Sequence, residues 1–263
     1  MISKGYKAYL KKRKLFYLLV HLFQVLLIII ILFVWQFLAD HNIINTFISS
    51  SPKLIYSTIK GLYLSNNLFH HIWITIMETI ISFILATLLG LIIAIILWSS
   101  KFIAKVLNPY LIILNSLPKV SIGPILIIWI GANNKSIIVM ALLISLIITI
   151  INIYNGFISV DINKVNLLKS FGASKYQILK HLVLPSNYKN IISCMKINVS
   201  MCLIGVITGE LLVSKEGIGY LIMYGSQVFN LNLVMSGIII LMFVSYLMYL
   251  FIGYIEKILI KND

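Results

Sequence analysis

Few groups in this 263-residue chain could do chemistry: seven acidic residues, five histidines and two cysteines. The zinc-protease pattern H-E-x-x-H and the nucleophile-elbow pattern G-x-S-x-G are both absent. There is no Gly-Lys dipeptide, so no G-x-x-x-x-G-K-[ST] loop can cradle a nucleotide's phosphates. Cys194 and Cys202 share one apolar stretch with no His or Cys partner at metal-ligand spacing, and read as packing residues. The tandem His70-His71 has no third ligand nearby and suits a wetted anchor at a membrane surface. The expectation is a chain that is not an enzyme and carries no metal and no cofactor.

Four charged residues are more telling because they lie in apolar runs: Glu78, Lys119, Lys196 and Glu210. A charge at the centre of a membrane helix costs about 2.5–3.5 kcal/mol on insertion scales, so each needs a partner, a cavity or a route to the interface. Structural pairing is expected for Glu78, whereas Glu210, behind Gly205 and Gly209 in GVITG, is open to a structural or a solute-contacting role. Lys119 sits between Pro118 and Pro124 in NSLPKVSIGPILIIWIG. A proline removes a helix hydrogen bond, so Pro118, Lys119 and Ser121 either line a solute path or mark a kink at the membrane edge with Lys119 snorkelling out.

Positioning these residues falls to membrane spans. The sequence is 60% hydrophobic and 11% charged, with a mean hydropathy of +1.03, far more apolar surface than one globular core can hide. Spanning the hydrocarbon takes roughly 20 apolar residues as helix. Six stretches qualify: Phe16–Ala39, His71–Trp98, Ile103–Ile130, Ser136–Ile158, Asn190–Val213 and Leu233–Leu259. The runs are continuous and rich in Ile and Leu, unlike the alternating ten-residue strands of a barrel, so the class is all-α integral membrane. Ser82, Ala86, Gly90 and Ala94 recur every fourth residue and predict a close-packed helix seam, as do Gly205 and Gly209.

Charge placement fixes the expected orientation. The net charge of +14 is spread over span ends, which favours anionic lipid as its partner and not nucleic acid. With the N-terminus inside, the inner segments hold Lys4, Lys7, Lys11, Lys12, Arg13, Lys14, Lys101, Lys105, Lys164, Lys169, Lys175, Lys180, Lys189, Lys257 and Lys261. Only Lys53, Lys60, Lys135 and Lys215 fall outside, so both termini are expected in the cytoplasm. The basic start followed by an apolar run imitates a signal peptide, but the run is long and lacks a small-x-small cleavage site, and reads as a retained first span. In the first outer connection Ser51 caps and Pro52 opens an interfacial helix with Leu54, Ile55, Ile59, Leu62 and Tyr63 largely on one side.

The polar stretch DINKVNLLKSFGASKYQILKHLVLP, residues 161–185, carries most information. Val165, Leu168 and Phe171 recur at helical spacing until Gly172-Ala173, a natural place for a helix to end in a positive-φ residue. Ser174 and Gln177 have capping-box spacing, and Ile178, Leu179 and Leu182 continue an apolar face that Pro185 should stop. Two short amphipathic helices with basic backs result. They suit either a membrane surface or a knob for a partner's groove.

These residues resemble the permease subunits of bacterial ABC importers of the binding-protein-dependent type, whose cytoplasmic loop follows E-A-A-x3-G-x9-I-x-L-P. Gly172, Leu182, Leu184 and Pro185 fall in register, while Asn166-Leu167-Leu168 stand in place of the acidic-alanine head. The likeness covers roughly residues 50 to 258: SPKLIYSTI, SLPKVSIGPILIIWIG and GVITGELLVSKEGIGYLI are similar to segments of the branch that takes up nitrate, sulfonate, taurine and the thiamine pyrimidine precursor. The resemblance implies the type I importer permease fold with a basic cytoplasmic segment at 1–15, a first span and outer helix at 16–69, and a permease bundle at 70–260 containing the coupling helices. It implies a homodimer in the cell membrane, a pair of cytoplasmic ATPases that bind ATP and Mg2+, and an extracytoplasmic solute-binding protein. Val165, Leu168, Phe171, Gly172, Ala173, Ser174, Gln177, Leu182 and Pro185 would couple to the ATPase. Pro118, Lys119, Ser121, Gly205, Gly209 and Glu210 would line the path. A channel or a secondary transporter is the alternative, yet no repeated polar filter is present.

Overall fold

The computed structural model describes residues 4–260, with side chains over 12–258; the side chains of Lys4, Lys7 and Lys11, and all of Lys261, lie outside the described residues. Among those described there are helices and no strands. In order they are α1 (Lys4–Asp40), α2 (Thr46–Ser49), α3 (Pro52–Leu64), α4 (Asn67–Ser99), α5 (Lys101–Ser116), α6 (Gly123–Ile130), α7 (Asn134–Ile158), α8 (Ile162–Ser170), α9 (Lys175–Ile178), α10 (Leu184–Val213), α11 (Ile218–Gln227) and α12 (Leu231–Ile260). Five stretches are long and apolar enough to cross a membrane, and a sixth forms if the pair α5–α6 counts as one span.

The centre of the bundle is α7, held between α4 and α10. Small residues make this possible. Ser82, Ala86, Gly90 and Ala94 are all buried along α4, and a Cβ on Gly90 would stand 2.5 Å from Thr149 Cγ2 of α7. Nearer the start of α7, a Cβ on Gly205 would strike Ala141 Cα, and one on Gly209 would lie 3.0 Å from Ile137 Cα. Backbones this close maximise dispersion contact, which replaces the hydrophobic effect as the glue between helices in lipid. Asn198 Nδ2 adds a 2.6 Å bond to Thr87 Oγ1, joining α10 to α4. Both cysteines are buried and unpaired in α10.

Around this core the apolar surface faces outward, as a lipid solvent requires. The most apolar window of α1 has no buried residue, and α1 is tied to α3 by Lys53 N–H donating to Gln36 Oε1 at 3.0 Å. Ser51 caps α3 through Leu54 N–H, and Ile55, Ile59 and Leu62 pack inward, while Tyr56 and Tyr63 stay exposed.

Three features differ from the sequence reading. The third span is interrupted at Pro118 as expected, but far more sharply than a kink: α5 and α6 meet at 92° across a short 3-10 turn at Lys119–Ile122. Pro118 stands at the corner, and Pro124 lies in the first turn of α6, where its missing N–H costs nothing. Pro185 does not stop its helix. A π turn at Leu179–Val183, closed by Leu184 N–H to Leu179 O, widens the helix so that Lys175–Val213 runs on unbroken past the proline ring. Finally, α11 is a separate ten-residue helix between the last two spans, too short to cross and unmarked by any cap residue in the sequence.

Candidate functional site

Local rules build the 161–185 elbow. The Asp161 carboxylate accepts Asn163 N–H at 2.9 Å and starts α8. Gly172, at φ +80°, ends it: Ala173 N–H donates to Leu168 O at 3.0 Å and Gly172 N–H to Lys169 O at 2.9 Å, the bond pair of a Schellman stop. A Cβ there would meet nothing within 4 Å, so position 172 demands a backbone conformation and not space. Ser174 and Gln177 close a reciprocal capping box, with Ser174 N–H to Gln177 Oε1 at 2.7 Å and Gln177 N–H to Ser174 Oγ at 3.3 Å.

The elbow has two apolar sides. Val165, Leu168, Ala173 and Leu182 pack onto the buried cluster of Ile153, Phe157, Ile178 and Val183, fixing the elbow to the bundle. Ile162, Leu167, Phe171 and Tyr176 point away, with Phe171 77% and Tyr176 69% exposed. Leu168 and Phe171 therefore do not share one gripping face. Phe171 is the C-cap, at φ −82° and ψ 5°, where the chain has left the helix and helical spacing no longer places it. Beside it a groove of about 310 Å³ is lined by Leu168, Phe171, Gly172, Ala173, Gln177 and His181.

The residues assigned to a path do not converge. Lys119 Nζ folds back on Asn115, donating to its carbonyl at 3.1 Å and to Oδ1 at 3.3 Å, while Ser121 Oγ donates to Pro118 O at 2.7 Å. Gly205 and Gly209 face α7. Glu210, 1% exposed, reaches over to α11. Its Oε2 accepts Gly219 N–H at 2.5 Å and its Oε1 accepts Thr75 Oγ1 at 2.6 Å; Thr75 Oγ1 accepts Ile218 N–H at 2.9 Å, and His71 Nδ1 accepts Gly217 N–H at 3.0 Å. Every amide in the first turn of α11 up to Gly219 thus has a side-chain partner from α4 or α10, which explains how a helix without its own cap residue starts here. The G-x-G at 217–219 is needed because a Cβ on either glycine would collide with the Glu210 side chain.

Glu78 lies one turn further along α4, 4% exposed, with no hydrogen-bond partner on either carboxyl oxygen. Among the described residues no ion pair answers the structural pairing expected for it. Lys196 is instead paired with Glu256 of α12, which also accepts Ser193 Oγ at 3.1 Å, and Lys196 Nζ lies 5.5 Å from the Tyr249 ring centre. That intramembrane cation is neutralised within the bundle. No cluster of three metal-ligating side chains occurs among the described residues.

A polar surface that the sequence reading passed over opens between α7 and α10 on the elbow side. Asn152 and Asn155 from α7, with Asn187, Asn190 and Ser193 from α10, line a crevice of about 550 Å³. Asn187 Nδ2 is satisfied by Val183 O at 3.0 Å, and Asn190 Nδ2 reaches Asn152 O only at 3.5 Å. Primary amides facing hydrocarbon would be costly, so this face requires water or protein against it. Its signal was present in the sequence as asparagines three apart in both helices.

The profile described as binding-protein-dependent transport system inner membrane component matches residues 86–261. The chain belongs to this family. It is an ABC importer permease of the binding-protein-dependent type, a multi-pass protein of the bacterial inner membrane. It is 30% identical to the putative aliphatic sulfonates transport permease protein SsuC of Bacillus subtilis, over 88% of this chain and 84% of that one. A probable ABC transporter permease protein of Haemophilus influenzae is also 30% identical, over 90% and 96%. The formylaminopyrimidine transport permease protein ThiX of Halalkalibacterium halodurans is 26% identical, over 64% and 68%. The fold matches a chain of the inward-facing MetNI methionine ABC transporter at a TM-score of 0.65 and 15% identity, covering 74% of this chain and 96% of that one. It also matches a bacterial ABC transporter that imports the acidic polysaccharide alginate, at a TM-score of 0.63 and 14% identity over 95% and 98%.

Proposed function

We propose that two copies of this permease form the membrane pathway for a small solute, delivered by an extracytoplasmic binding protein and moved by alternating access. A separate cytoplasmic ATPase dimer, holding ATP and Mg2+, drives the change by gripping the 161–185 elbow. The observation that carries this reading is the apolar knuckle of Leu167, Phe171 and Tyr176, held out from the bundle by the Gly172 stop while Val165 and Leu168 anchor it from behind. Exposed aromatics on a rigid mount are what a partner's groove can bind without ordering costs. The asparagine-lined crevice serves as the inner mouth of the path. Its uncharged amides can donate and accept, which suits the oxygens of a sulfonate, nitrate or taurine as well as the edge of a pyrimidine precursor of thiamine.

Co-purification with the ATPase tests the coupling reading. Phe171→Asp should abolish the stoichiometric ATPase without lowering the melting temperature of the permease, and Gly172→Val should weaken it by straining a φ that β-branched residues avoid. Full ATPase recovery and unchanged uptake in both variants would disprove docking here. Solute class is read from a melting screen of the binding protein against sulfonates, nitrate, taurine and pyrimidine precursors.

A further inference from the structure

We propose that the corner where α4 turns into α5, together with the elbow behind it, binds an anionic phospholipid of the inner leaflet. A crevice of about 550 Å³ lies there, separate from the asparagine-lined one. Lys101, Lys169 and Lys175 line it, one from each of α5, α8 and α9, and no acidic residue does. Asp161, the nearest acid in sequence, is occupied in capping α8. Below the lysines the crevice is apolar: Leu97, Phe157 and Ile178 are buried in its floor, and Ile158 and Ile162 stand exposed at its rim. Trp98 and Tyr154 lie among them, aromatic residues of the kind that settle at headgroup depth.

Charge and shape together select the ligand. A cationic rim over an apolar floor fits a phosphate attached to an acyl chain. A free phosphate would leave the floor unused, and a neutral lipid would leave three cations unanswered. Lys175 Nζ donates to Ser99 O, the last carbonyl of α4, at 3.2 Å, which bridges elbow and corner and leaves two of its protons for a ligand. The N-terminus of the sixteen-residue α5 opens at the same place, with Ser100 as its cap, and adds favourable potential for an anion. A lipid seated here would tie the elbow to the α4–α5 corner, so the anionic lipid content of the membrane would set how firmly the elbow is held. The inference rests on the elbow being cytoplasmic, as the proposed function has it.

The test uses full-length permease in mild detergent, titrated with phosphatidylglycerol, phosphatidylcholine or inorganic phosphate and read by melting temperature and by native mass spectrometry of retained lipid. Phosphatidylglycerol should bind and raise the melting temperature, and the triple variant Lys101→Gln, Lys169→Gln, Lys175→Gln should bind it roughly 100-fold more weakly, at about fivefold per lysine. A control lacking Lys164, Lys180 and Lys189, which do not line the crevice, should bind as the unaltered protein does. Equal stabilisation by phosphatidylcholine, or equal loss in the control, overturns the site; stabilisation by inorganic phosphate alone overturns the lipid assignment. Orientation is read separately by labelling Lys169→Cys with a membrane-impermeant maleimide in inverted and right-side-out vesicles, since Cys194 and Cys202 are buried. Labelling from outside would refute the cytoplasmic elbow whatever the lipid result.

Discussion

Removing the Glu210 carboxylate should unfasten α11, and Gly217 allows the effect to be measured without ambiguity. In Glu210→Ala the Gly219 N–H loses its acceptor in a buried site, while the Thr75 hydroxyl can turn to His71 O, 3.2 Å away. One buried amide left without its acceptor sets the destabilisation at about 1–3 kcal/mol. Gly217→Ala acts twice: its φ of +99° with ψ 171° lies where only glycine is comfortable, costing about 1–3 kcal/mol, and its Cβ falls on the Glu210 carboxylate and expels it from the cap. With position 210 already alanine the collision is gone, and only the backbone strain remains. The double variant should therefore be more stable than the sum of the singles by about 1–3 kcal/mol, measured by unfolding purified permease in mixed detergent–SDS micelles. Additivity within about 0.5 kcal/mol would show that the carboxylate and the 217–219 turn are independent, and the account of α11 would fail.

Two further perturbations separate packing from coupling. Lys196→Met alone should lower stability because it leaves Glu256 with Ser193 Oγ as its remaining partner in the bundle, whereas Lys196→Met with Glu256→Leu should recover most of that loss; the same micellar unfolding checks it, and a double variant as unstable as the single would mean the pair is not isolated. Replacing Leu184 and Pro185 by Gly-Gly should leave ATPase co-purification intact while abolishing uptake into proteoliposomes, since it softens the helix between elbow and span; preserved uptake would show that helix continuity transmits nothing.

The spans were legible because a bilayer leaves so little freedom: each needs about 20 apolar residues, and the runs at 71–98 and 136–158 correspond to α4 and α7. Elbow capping was equally legible, since Gly172 and the Ser174–Gln177 pair act through bonds between near neighbours. What escaped depended on distant partners. The start of α11 is capped from 9 and 143 residues away, by Glu210 and Thr75, and nothing local announces it. The right-angled corner at Pro118 follows from where α5 and α6 pack, and a proline alone states only that a ladder bond is missing. Pro185 misled for a related reason: a π turn upstream makes room for its ring, so a residue that ends most helices is carried inside one.

That unbroken helix changes how force would pass through the molecule. Had Pro185 ended a short amphipathic helix, a flexible joint would separate the elbow from the fifth span, and a push on Phe171 would be absorbed there. Instead Lys175–Val213 is one helical stretch, with the capping box at its elbow end and Glu210 bonded to α11 near its other end. Along its length Gly205 and Gly209 lie against the α7 backbone, and α7 meets α4 at Gly90, contacts too close to slide without separating the helices. Displacement of the elbow must then move α10, α7 and α4 largely as a body, while α1, bound mainly through α3, can stay behind. The asparagine-lined crevice sits on that body, between α7 and α10, so a motion that carries the elbow also carries the polar face beside it.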